Sequence, residues 1–352
     1  MARVRFEHVT KRFPSGDVAV KDLTLDVLDG ELIVVVGPSG CGKSTTLRLL
    51  AGLEYPDAGE IWIGEKLVND VPTRNREVSM VFQDYALYPH LSAFDNMGFG
   101  LRMQGVPVPD INWRVSRAAD VLDIVPILDR MPRELSGGEQ QRVALGRAIV
   151  KDATVFLLDE PLSSIDAKLR ERMRMELLQL HRKLHRTFLY VTHDQQEAMT
   201  LGDRVAVMND GMLQQFAPPS EIYDRPANLF VAGFFGSPAM NFIPVTIRGR
   251  KVTGSAIELE LPRPCRLERG VLGIRPEALS PQLEANESTI DLKVDLAESI
   301  GHHQLVYGEA GRDGLVARLD AKLKVRRGDH MRLRVDPRLV HVFDAHSGQA
   351  VL

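Results

Sequence analysis

The stretch that most constrains this chain is Leu32-Ile-Val-Val-Val36 followed at once by Gly37-Pro-Ser-Gly-Cys-Gly-Lys43-Ser44. An unbroken run of branched apolar residues fits a strand buried on both faces. The glycines that follow let the backbone reverse and turn its N–H groups inward. The run from Lys43 to Ala51 then has helical character. A strand, a glycine-rich turn and a helix start bring converging N–H groups and the positive end of a helix dipole to one point, which holds phosphate. Gly37, Ser39, Gly40, Cys41 and Gly42 would form that cradle. Lys43 would reach the β- and γ-phosphates of a nucleotide, Ser44 would ligate Mg2+, and Thr45 would support the α- and β-phosphates. Cys41 is expected there as a small residue that fits the loop.

More apolar runs of the same kind follow at Val78 to Phe82, Val155 to Leu158, Phe188 to Thr192 and Val205 to Met208. Helical patterns lie between them, at Trp113 to Ile124, Gly138 to Val150, Asp166 to His185 and Gln195 to Leu201. The alternation calls for an α/β sheet of parallel strands. From about 87 to 151 no buried strand is apparent, so a helical insertion is expected there. Beyond Gly236 the texture changes to short strand-like runs separated by Gly, Pro and charged turns, as in a small barrel or sandwich. Asn241 to Val252, Ala256 to Leu261, Ile290 to Ala297, Gln304 to Tyr307, Gly314 to Leu319 and His330 to Val335 are these runs. Two domains are therefore expected, 1–236 and 237–352.

Composition adds exclusions. The 352 residues carry a net charge of -3, so no global basic excess points to nucleic acid. The two cysteines, Cys41 and Cys265, match no metal-ligand spacing. The first residues alternate like a strand and do not resemble a signal peptide. The longest apolar run, about Leu229 to Phe235, is far short of the ~20 residues that cross a bilayer.

The run Val155-Phe-Leu-Leu-Asp159-Glu160-Pro161 ends a buried strand in two carboxylates, at the end of a parallel sheet where ligands bind. Asp159 suits Mg2+ held through water, and Glu160 suits polarisation of an attacking water. The stretch Leu135-Ser136-Gly-Gly-Glu-Gln-Gln-Arg142 precedes that strand by one helix. It closely resembles the signature of ATP-binding cassette (ABC) ATPases. In the same family order come Gln83 (Q-loop), Ser163-Ser-Ile-Asp166 (D-loop) and His193 in Val-Thr-His-Asp-Gln (switch histidine), with Phe13 where the family places an aromatic ring on adenine. Phe235-Gly-Ser-Pro-Ala-Met-Asn-Phe-Ile, Gly273-Ile-Arg-Pro-Glu-Ala-Leu and Val342-Phe-Asp-Ala-His-Ser-Gly resemble the tail of the carbohydrate-importer ATPases, the maltose and glycerol-3-phosphate type.

The resemblance implies a P-loop NTPase cassette of the ABC type with a helical insertion, followed by an all-β regulatory domain of the oligonucleotide-binding fold. It implies ATP hydrolysis with Mg2+ bound by Ser44, Gln83 and Asp159, and catalysis by Glu160, His193, Gln83 and Lys43. With one phosphate loop and one signature per chain, it implies a homodimer in which Ser136, Gly137 and Gly138 meet the ATP on the partner's loop. Asp166 would lie at that interface or cap a helix. The aromatic and apolar segment from Tyr85 to Met97, with Leu87, Tyr88, Leu91 and Phe94, would help form the groove for a coupling helix of the membrane subunits. Two permease subunits, an extracytoplasmic solute-binding protein acting indirectly, and a place on the cytoplasmic face of the membrane complete the expectation. The cargo stays open between a sugar or glycerol phosphate and a polyamine, inorganic anion or iron. A soluble ABC ATPase outside transport is the remote alternative, disfavoured by the single cassette.

Overall fold

The structure, a computed structural model, describes residues 2–83, 86–163, 166–281 and 288–352. It divides into two compact units, Met1–Ser220 and Glu221–Leu352. The first begins with β1 (Val4–Arg12), β2 (Val18–Val27), β3 (Leu32–Val36), α1 (Lys43–Ala51), β4 (Ala58–Ile63), β5 (Lys66–Leu67) and β6 (Val78–Val81). Helices α2 (Ala93–Met103), α3 (Val108–Leu122) and α4 (Gly137–Ile149) follow, with no strand between them among the described residues. After them come β7 (Val155–Asp159), α5 (Ala167–Leu184), β8 (Thr187–Thr192), α6 (Gln195–Leu201), β9 (Arg204–Asn209) and β10 (Met212–Ala217).

The Val-rich runs become β3, β6, β7, β8 and β9, joined in a six-stranded sheet of order β10-β9-β3-β8-β7-β6. All are parallel but β10, which pairs antiparallel with β9 at the edge. Every residue of β3, β7 and β8 is buried, which accounts for their lack of inside/outside alternation. Register sets up the site: Val36 pairs with Thr192, Val191 with Asp159, and Leu158 with Val81. The carboxyl ends of β3, β8, β7 and β6 therefore finish in one row.

A second sheet, antiparallel and ordered β2-β1-β4-β5, covers α1. The sequence patterns announce only its first strand. Three register shifts between β1 and β2 interrupt the two-residue period that would have marked the pair. Phe6, Leu23 and Leu25 of this sheet share one core with Ile33 and Val35 of β3 and with Leu47, Leu49 and Leu50 of α1.

The far end of α1 depends on one buried side chain. Arg76 is 2% exposed and donates Nη1 to the carbonyls of Leu49 (2.6 Å) and Leu50 (3.1 Å). Its Nε and Nη2 donate to Val71 O (2.7 Å) and Asn69 O (3.0 Å). The planar guanidinium thus satisfies Leu50 O at the end of the helix and adds a second bond to Leu49 O, which also accepts from Gly52 N (3.2 Å).

The second unit takes in most of α7 (Pro219–Asp224), which spans the division, and α8 (Leu229–Phe234). Its strands are β11 (Asn241–Thr253), β12 (Glu258–Cys265), β13 (Arg269–Ile274), β14 (Leu279–Pro281), β15 (Thr289–Ile300), β16 (His303–Ala310), β17 (Asp313–Asp320), β18 (His330–Val335) and β19 (Val340–Asp344). They form two antiparallel sheets, β12-β11-β13-β19 and β14-β18-β15-β16-β17. Ile243, Leu272 and Ile274 of the first share a core with Leu292, Val306 and Leu333 of the second. β13 and β19 were not legible as strands, since Gly270 and Gly273 punctuate the first and His341 and Asp344 the second. The division at Ser220 falls before the expected boundary of 236. The reason is Arg275, which is buried, stacks 3.9 Å from the Tyr223 ring, and donates to the carbonyls of Tyr223, Ala232 and Phe235.

Replacing Arg76 by alanine strands buried carbonyls at the end of α1, for an expected loss of about 2–4 kcal/mol. Urea denaturation of the full chain measures it. An unchanged midpoint would mean that water serves those carbonyls.

Candidate functional site

The row of strand ends gathers the residues singled out in the sequence. Gly37 begins where β3 stops, Asp159 closes β7, His193 follows β8, and Gln83 follows β6 by two residues. Val81, the last residue of β6, pairs with Leu158, so Gln83 follows at the same end of the sheet, and it is exposed.

The loop is shaped by close approaches of backbone. Gly42 has φ +103°, a left-handed conformation costly to any residue with a Cβ, and a Cβ there would lie 2.2 Å from Ala19 O of β2. A Cβ on Gly37 would lie 2.1 Å from Met208 O of β9. Between these fixed points Pro38, Ser39 and Gly40 are exposed. α1 starts at Lys43 with no side-chain cap and no acidic residue in its first turn. Its uncapped N–H groups and its dipole therefore favour an anion. Cys41 is buried, and burial pushes its thiol up, as suits a packing residue. Thr45 is half-buried.

Lys43 is buried, and its ammonium donates to Gly37 O (2.9 Å) and Pro38 O (2.8 Å), which folds it along the loop. Ser44 Oγ donates to Asp159 Oδ1 at 2.8 Å, joining the helix start to the end of β7. Burial raises the Asp159 carboxyl, and the Ser44 bond partly opposes it. Among the described residues no group of three or more His, Cys, Asp or Glu could hold a metal by itself. A hydroxyl bonded to a single buried carboxylate is a donor set that fits Mg2+ shared with phosphate oxygens, which supply the missing ligands.

Glu160 sits at φ +46°, an outlier worth about 1–3 kcal/mol for a non-glycine residue. Its N–H donates to Val191 O (3.0 Å), and its carbonyl accepts from Ser163 N (3.2 Å) and Ser163 Oγ (2.9 Å). The turn aims its side chain sideways, where Oε2 lies 3.0 Å from His193 Nδ1. The His193 side chain is 55% exposed. A carboxylate and an imidazole thus meet in front of the loop, able to handle the proton of a water attacking a bound phosphate.

Other singled-out residues stand apart from this centre. Phe13 is half-buried in the turn between β1 and β2, with Lys11 Nζ 5.5 Å from its ring, and is not a member of the core. Ser136 caps α4: Oγ accepts from Glu139 N (3.4 Å) and donates to Glu139 Oε2 (2.7 Å), which also accepts from Ser136 N (2.8 Å). This is a capping box. Gly137 is exposed and Gly138 buried against Leu169. Asp166 caps α5 by accepting from Leu169 N (3.1 Å); Ser164 and Ile165 beside it lie outside the described residues.

An apolar cavity of about 440 Å³ opens between β6 and α2, lined by Phe82, Tyr88, Met97, Phe99 and Leu101 among others. Tyr88 is the member of the expected set Leu87, Tyr88, Leu91 and Phe94 that lines it; Tyr85 lies outside the described residues. Asn96, buried, holds the loop by accepting from Tyr88 N (2.7 Å) and donating to the carbonyls of Tyr88, Leu91 and Ser92.

Sequence reasoning missed the support behind the histidine. Glu197 of α6, 3% exposed, accepts from Tyr190 OH (2.8 Å) and Thr192 Oγ1 (2.7 Å), and burial raises its carboxyl. An acid four residues beyond His193, on the face of α6 toward the sheet, was the available signal.

The ABC transporter family model matches residues 20–163, that of the MalK OB fold domain residues 236–279, and that of the TOBE domain residues 272–343. The sn-glycerol-3-phosphate import ATP-binding protein UgpC of Cupriavidus metallidurans is 46% identical over 100% of this chain and 99% of its own. The oligosaccharides import ATP-binding protein MsmX of Bacillus subtilis is 45% identical, covering 99% of each chain. Among solved structures, the dimeric ATP-binding cassette MJ0796 in a post-hydrolysis state with ADP and Pi matches at 30% identity and a TM-score of 0.56, over 61% of this chain and 98% of its own. The chain belongs to the ABC transporter family as an import-type ATPase subunit, an ATP-binding cassette followed by OB and TOBE domains.

Proposed function

We propose that this subunit works as one of a pair, hydrolysing ATP to drive import of a sugar or a glycerol-phosphate-like solute. The observation that carries the reading is the meeting of Glu160 and His193, 3.0 Å apart, on the same sheet edge as the phosphate loop. The loop N–H groups and Lys43 would hold the phosphates. Ser44 and Asp159, already bonded to each other, would hold Mg2+ with Gln83. Mg2+, when bound, neutralises charge on the transferring phosphate. Glu160 would polarise the attacking water, and His193 would contact the γ-phosphate. Phe13 would stack on adenine.

Ser136, Gly137 and Gly138 would serve the ATP of the partner subunit, and the exposure of Ser136 and Gly137 supports this. Two permease subunits would dock a helix each in the groove at Tyr88 and Phe99, placing the protein on the cytoplasmic face of the membrane. No helix among the described residues is long and apolar enough to cross a membrane, in keeping with a span supplied by other chains. A solute-binding protein would act on it only through those permeases. The cargo assignment rests on relatives named for glycerol-3-phosphate and oligosaccharide import.

Glu160→Gln should keep ATP while turnover falls about 10²–10⁴-fold, leaving an ATP-bound dimer visible by gel filtration. Hydrolysis at the wild-type rate would overturn the assignment. Gly42→Ala should weaken nucleotide binding about tenfold or more, from about 1–3 kcal/mol of backbone strain. Titration with a fluorescent nucleotide measures this, and unchanged affinity would remove Gly42 from the cradle. Gentle extraction from membranes should bring two polytopic subunits with the chain, and glycerol-3-phosphate or oligosaccharide on the binding protein should stimulate the ATPase. Recovery without a membrane partner counts against import.

A further inference from the structure

We propose that Glu197 is a positioning residue for His193, acting through Thr192 and Asp194 on either side of it. The inference rests on the reading of His193 as a phosphate contact. Glu197 Oε2 accepts two hydrogen bonds, from Tyr190 OH at 2.8 Å and from Thr192 Oγ1 at 2.7 Å. With its hydrogen directed at Glu197, the Thr192 hydroxyl accepts from Asp194 N, 3.0 Å away. Asp194 Oδ1 accepts from Gln196 N (2.7 Å) and Glu197 N (3.2 Å), which closes the circuit onto α6. Asp194 Oδ2 meets Arg170 Nη1 of α5 at 3.4 Å. The residue before His193 and the residue after it are thus gripped, while the ring between them is exposed and faces Glu160.

A purely structural role does not account for the acid. Burying a carboxylate is unfavourable, and an apolar residue of similar size would pack α6 against β8 at less cost. The acid suits this position because it is the acceptor for both hydroxyls. Tyr190 and Thr192 lie two residues apart on β8, so their side chains share a face of the strand, and Glu197 spans them. Removing the acceptor frees the Thr192 hydroxyl to rotate, loosens its bond to Asp194 N, and lets His193 swing from its place beside Glu160. Misplacement of a catalytic group by about 1 Å can cost about 10²-fold in rate.

The test is a double-mutant cycle on the full chain, read by steady-state and single-turnover ATP hydrolysis. Glu197→Ala should lower kcat about 10–100-fold and leave KM for ATP within about twofold. Thr192→Val should act in the same direction. Glu197→Gln keeps an acceptor oxygen and should recover most of the rate. In a His193→Ala background, Glu197→Ala should add no further loss, because its effect passes through the missing ring. Equal losses in both backgrounds, or a lowered melting temperature with kcat unchanged, would overturn the proposal. If Glu197→Ala does not fold, Thr192→Val carries the cycle alone. Wild-type hydrolysis by His193→Ala would instead sink the reading of the histidine. Loss in His193→Ala beside normal rates in Glu197→Ala and Thr192→Val would sink the positioning role alone.

Discussion

The site depends on parallel strand register. Pairing of Val36 with Thr192, Val191 with Asp159 and Leu158 with Val81 brings four chain segments to a common edge. No single segment carries the chemistry. A slip of one residue in β7 would exchange its two faces and turn Asp159 away from Ser44. The register is secured because β3, β7 and β8 are buried throughout, so a shifted pairing would break packing on both sides of the sheet. Hydrophobic burial here does the work of aligning polar groups.

At that edge the chain holds unfavourable local states. Glu160 is held in a left-handed conformation, Asp159 is a buried carboxylate and Lys43 a buried cation. Each is tolerated because surrounding bonds over-determine it: Val191 and Ser163 on the Glu160 backbone, Ser44 on Asp159, the loop carbonyls on Lys43. Such groups are set in place before any substrate arrives, so little reorganisation is needed at the moment of reaction.

What was legible in the sequence follows from how local the information is. The buried strands showed because burial on both faces writes an uninterrupted apolar run. The loop, the carboxylate pair and the signature showed because each is a compact motif. The antiparallel sheet was obscured by register shifts between β1 and β2, and β13 by its glycines. Arg76 and Arg275 were invisible, and Glu197 was signalled only by its spacing from His193, for another reason. Their roles come from carbonyls and hydroxyls that folding brings to them, and alone in a sequence each looks like an ordinary surface charge. Ser136 lay between these cases. Its place before Gly137 and Gly138 was plain, but the reciprocal bond to Glu139 appears only once α4 is built.

Arg76 also ties two parts of the scaffold behind the site together. It stands two residues before β6 and clamps the end of α1, the helix whose other end carries Lys43. Thr154 N donates to Glu77 O (2.9 Å) and Lys151 Nζ to Val78 O (2.8 Å), so the ground is held from the β7 side as well. The helix that starts at Lys43 and the root of β6 are therefore bonded into one block. The apolar groove opens onto that block, since Ala51, Thr73, Val78 and Lys151 line it beside Phe82 and Tyr88. Whatever presses on the groove would therefore bear on the block that carries Lys43 as well as on the strand end beside Gln83.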